Sequence, residues 1–113
     1  MIGYYITYGI FTNELDDIIK ELENNLEISL IKSEYEDELY CLSGENSSKI
    51  VHFTISNGSV QYHLNECETV CPKYLISCNV ILSLKDEEYI SRFRMQLNKI
   101  LNIKELNFDT DEW

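Results

Sequence analysis

Basic residues are scarce in this chain of 113 residues: nine Lys and Arg stand against twenty Asp and Glu, for a net charge of −11. A surface that reads nucleic acid or an anionic membrane needs the opposite balance, so direct binding to either is not expected. Long apolar runs are missing too, and none approaches a membrane span. The first ten residues, MIGYYITYGI, lack a basic leader segment and already alternate, so they read as a strand and not as a signal peptide. A cytoplasmic protein is expected. Alanine is absent, proline occurs once and glycine four times, while 44% of residues are hydrophobic and 12% aromatic. That balance excludes disordered and fibrous classes and leaves one folded domain over residues 1–113. Lack of alanine beside abundant Ile and Asn is also what an AT-rich gene encodes, as on phages and mobile elements.

Catalytic signatures are missing as well. There is no glycine-rich phosphate loop, no Ser-His-Asp pattern and no H-E-x-x-H, so neither an enzyme nor a cofactor is expected. Cys41, Cys67, Cys71 and Cys78 read as free thiols in a reducing compartment. The spacing His63-x3-Cys67-x3-Cys71-x6-Cys78 offers zinc-type ligands but no close C-x2-C knuckle, and Cys78 is in phase with a core face while His63 points outward. No metal is expected there, and nothing sets a base beside a thiol to make it a nucleophile.

What is present is a strong strand pattern. Residues 48–65 read as a β-hairpin with Asn57-Gly58 as a type I′ turn, which sets Ile55 against Val60, Phe53 against Tyr62 and His52 against His63. Before it, Ile2 to Ile10 alternate as a first strand. Asn13 then caps a helix with the stripe Leu15, Ile18, Ile19, Leu22 and Leu26. Residues 27–32 and 38–43 read as two further strands, and 66–73 as an irregular loop. Residues 74–84 form a long strand, and Asp86 caps a second helix with the stripe Ile90, Phe93, Leu97, Ile100 and Leu101. Asn102 ends it, and Leu106 with Phe108 starts a short edge strand. The β-α-β-β-β-β-β-α order predicts an α+β two-layer sandwich, a mainly antiparallel sheet of five to seven strands with both helices on one face. The first crossover allows one parallel pair. The uncovered face is expected to hold Tyr5, Thr7, His52, Thr54, Gln61, His63, Ser77 and Asn79.

The acids are regional. Residues 1–45 hold eleven acids and two bases, 46–104 five acids and seven bases, and 105–113 four acids and no base. The first helix tolerates like-charged i,i+4 neighbours such as Asp17 and Glu21, which cost a few tenths of a kcal/mol. Aromatic residues sit among the acids at Tyr35, Phe108 and Trp113. Charge steers a partner and an aromatic anchors it. The candidate partner-binding residues are therefore Glu34, Tyr35, Glu36, Asp37 and Glu38, then Asp17 and Glu21, then Asp109, Asp111 and Trp113. Together they point to a small acidic inhibitor of a basic, nucleic-acid-processing partner, of the kind that immunity proteins provide against nuclease toxins. An acidic secretion chaperone, an anti-CRISPR protein and a small-ligand-binding domain are the alternatives.

Overall fold

The computed structural model describes residues 1–26, 30–32, 38–45, 49–58, 61–83 and 85–113. Among the described residues eight strands and two helices follow in the order β1 (Ile2–Ile10), α1 (Leu15–Leu26), β2 (Ile31–Lys32), β3 (Glu38–Glu45), β4 (Lys49–Asn57), β5 (Tyr62–Asn65), β6 (Glu68–Val70), β7 (Tyr74–Leu82), α2 (Glu87–Asn98) and β8 (Ile103–Glu112). Six strands make one sheet in the order β2-β3-β4-β7-β1-β8, while β5 and β6 form a separate two-stranded sheet. Every pairing in both sheets is antiparallel, so the α1 crossover adds no parallel pair. The α+β architecture read from the sequence holds, with β8 as an additional full-length edge strand.

Alternation in β1 decides the layers. Ile2, Tyr4, Ile6, Tyr8 and Ile10 are buried against Leu82, Val80, Cys78 and Ile76 of β7, with Phe53 and Ile55 of β4 beside them. The helices close this face with Ile18, Ile19 and Leu22 from α1 and Ile90, Phe93 and Leu97 from α2. Leu101 stands apart from the stripe assigned to it. The second helix ends at Asn98, and Leu101 is 77% exposed, because Asn102 with φ 66° turns the chain toward β8. At the other helix it is the Thr12 hydroxyl, not Asn13, that accepts an amide, from Glu14 at 3.2 Å. Asp86 accepts from the Tyr89 amide at 3.0 Å, as expected of a cap.

The hairpin over residues 48–65 does not form. Phe53 pairs with Leu42 on one side and Cys78 on the other, His52 with Ser43 and Asn79, and β5 turns back on β6. Residues 66–73 are accordingly not all loop. No glycine has positive φ, so Asn57-Gly58 is not a type I′ turn. The Gly58 amide instead donates to the Lys73 carbonyl at 2.9 Å, and a Cβ at Gly58 would collide with the Pro72 carbonyl oxygen. Val60 lies outside the described residues. In β8 a bulge at Leu106 shifts the register, so that Glu105 faces Tyr8 and Phe108 faces Ile6. The short edge strand read at Leu106 and Phe108 is thus a longer one, Ile103–Glu112, with Leu106 at its bulge.

Burial fixes two groups in their neutral forms. Desolvation pushes up the Cys78 thiol and, with Cys78 and Glu105 nearby, the Tyr8 phenol. In the unfolded chain these groups ionise near their ordinary values of 9.0 and 10.0, so the unfolded state releases protons first and stability falls as pH rises above about 9. Below that the contribution is fully present. Urea midpoints measured at pH 7.5, 9.5 and 10.5 should fall in that order, and less steeply in Tyr8→Phe; a midpoint unchanged across the series would contradict the assignment.

Candidate functional site

The face of the sheet opposite the helices presents polar rows in register. His52, Asn79, Tyr5 and Asp109 lie across β4, β7, β1 and β8, and Thr54, Ser77, Thr7 and Asn107 form the next row. Six of the eight residues expected on this face are there. Gln61 and His63 are not, because they depended on the hairpin. Among the described residues, Phe11 and Pro72 lie over this face at its Gly9 end, where a Cβ would come within 3.0 Å of both.

At the opposite end the acids gather. Asp109 and Asp111 project from β8 on this face, exposed, with Asn107 donating to the Asp109 carboxylate at 3.0 Å. Gly3, which pairs with Asp111, leaves room for two rings: its absent Cβ would lie 2.6 Å from the Tyr5 hydroxyl and 3.1 Å from the Trp113 indole. Trp113 is held there by its amide, which donates to the Met1 carbonyl at 2.9 Å, yet it remains 58% exposed. Two carboxylates and two aromatic rings thus share one edge of an open sheet face. Residues Asp109, Asp111 and Trp113, read from the sequence as candidates, are brought together, and Tyr5 joins them.

The other candidates lie elsewhere. Asp17 and Glu21 are exposed on the outer side of α1, a layer away. Glu34, Tyr35, Glu36 and Asp37 lie outside the described residues, and Glu38 pairs with Ser56 at the start of β3. Among the described residues no three His, Cys, Asp or Glu side chains are placed to hold a metal ion. Cys67 and Cys71 are exposed, Cys78 is in the core, and His63 Nδ1 lies 3.0 Å from Thr69 Oγ1 in the small sheet, away from His52.

One cluster was not anticipated. Arg94 of α2 donates from Nε and Nη2 to the two Glu105 oxygens at 2.8 and 2.7 Å, and its guanidinium lies 4.0 Å from the centre of the Phe108 ring. The buried Tyr8 hydroxyl donates to the same carboxylate at 3.5 Å. Glu105 holds the Arg94 charge, raising its already high pKa. This cluster ties the edge strand to the helix layer. It is a structural clamp, since every charged group in it is paired.

The chain matches no protein-family model, no curated protein and no solved structure.

Proposed function

We propose that this chain is a small acidic inhibitor that docks on a basic, nucleic-acid-processing protein and covers its substrate-binding surface, acting in the cytoplasm of a bacterium as an immunity protein or antitoxin acts against a nuclease toxin. The observation that carries the reading is the grouping of Asp109, Asp111, Tyr5 and Trp113 on the open sheet face. An enzyme that binds phosphate presents positive potential around its cleft, and an acidic face attracts that cleft over long range. The exposed Trp113 ring and the half-buried Tyr5 ring beside the acids supply short-range affinity that charge alone lacks. The excess of twenty acids over nine bases supports the same steering. No step of this role requires chemistry by the chain itself.

The test is recovery of the partner on immobilised chain, followed by a nuclease assay. A basic protein whose cleavage of nucleic acid stops at one equivalent of this chain is the expected result. A bound protein that is acidic, or one whose activity is untouched at saturation, would contradict the proposal.

A further inference from the structure

Between α2 and the end of β8 lies a pocket of about 370 Å³, on the helix side of the sheet and apart from the acid-aromatic face. Its lining includes Ile2 and Ile90, Phe108, Tyr4, Lys85 and Glu112. Two features set it apart from an ordinary surface groove. Tyr4 is 4% exposed, and its buried hydroxyl has no hydrogen-bond partner. A buried polar group left without a partner is costly, and such groups in folded proteins are nearly always satisfied. The second feature is the charge arrangement. Arg94 on the lining is held by Glu105, and Lys85 lies 3.3 Å from Glu87 and also feels Glu112, which makes no close ion pair of its own among the described residues, so two cations face three carboxylates around the pocket. The charge balance there is negative.

We infer that this pocket seats one long basic side chain, an arginine or lysine of the partner, with its methylene stem along Ile2, Ile90 and Phe108 and its cationic head between Glu112 and the Tyr4 hydroxyl. Such side chains bury an apolar stem while directing the charge to polar groups, and a charge-assisted bond to a carboxylate is among the stronger contacts available. The phenol oxygen accepts from the same head, which supplies the partner it lacks. The size falls in the usual range of ligand pockets. The inference rests on the proposed basic partner, but its test does not need that partner.

The probe is N-acetyl-arginine-methylamide, titrated into labelled protein and followed by amide chemical shifts, with the matching capped glutamate as control. Saturable shifts confined to Ser91, Thr110, Glu112 and their neighbours are expected, with no response to the glutamate. Tyr4→Phe should weaken the arginine response at least fivefold while leaving the melting temperature unchanged or higher, because the hydroxyl holds no bond in the free protein. Tyr4→Phe changes no charge, so general attraction to an acidic protein would not respond to it. Glu112→Gln, at an exposed position, should weaken the response similarly and provides the same test if Tyr4→Phe fails to fold. Shifts spread without saturation over all acidic segments, or equal affinity in the folded variants, would overturn the inference. Loss of partner binding on changing Asp109 and Asp111, alongside such a negative result, would leave the proposed function standing without the pocket.

Discussion

Phe53→Ala is expected to cost about 3–5 kcal/mol, the usual range for a large aromatic truncated in a core that only partly relaxes. The ring is 1% exposed in β4, a central strand, between the registers of Leu42 and Cys78. Thr54, one residue on, faces the open side, where alanine should change stability by about half a kcal/mol or less. Denaturant titration of the two variants measures the difference. Equal losses would mean that β4 does not have one face in the core.

Gly58→Val should produce the second large loss, on the order of 1–3 kcal/mol, from forced displacement in a packed region. The cause is proximity and not a left-handed backbone. A Cβ at position 58 would strike the Pro72 carbonyl oxygen and lie 2.8 Å from the Lys73 carbonyl carbon, both backbone groups that cannot swing aside. Pro72 is itself fully buried and packs at Gly9, so displacement there is transmitted to β1. Gly58→Ala should already show most of the loss, because the Cβ makes the collision. If alanine is tolerated and only valine destabilises, side-chain bulk and not the close backbone approach is responsible.

These two sites mark how far the sequence can be read. Alternation in β1, β4 and β7 identifies the residues that face the core, because one face of each strand is apolar. It does not identify the neighbouring strand. An apolar face at residues 51–55 fits a local partner at 60–64 as well as the distant β7, and the Asn57-Gly58 turn signal tips the reading to the local one. The glycine there answers a different demand, the approach of Pro72 and Lys73. The Arg94–Glu105 clamp is hidden for a related reason. Glu105 and Phe108 are three residues apart, which puts them on opposite faces of a regular strand, and only the bulge at Leu106 brings them to the same side. The helices are legible because their stripes and the Asp86 cap are local signals. Of the candidate site, the acids and Trp113 at the chain's end are visible as composition; their meeting with Tyr5 depends on β8 pairing with β1 across the length of the chain.

Association kinetics at two salt concentrations test most directly whether the open sheet face is the surface that meets the proposed basic partner. Asp109→Lys combined with Asp111→Lys should slow association at low salt and flatten its salt dependence, since steering is screened over about 8–10 Å at physiological ionic strength. The matched pair Asp17→Lys with Glu21→Lys reverses the same number of charges on the outer side of α1 and serves as the reference. A clearly larger loss is expected for the β8 pair, with the fold of both variants intact. An equal effect of the two pairs, or a larger one from α1, would contradict it and move the interface off the sheet.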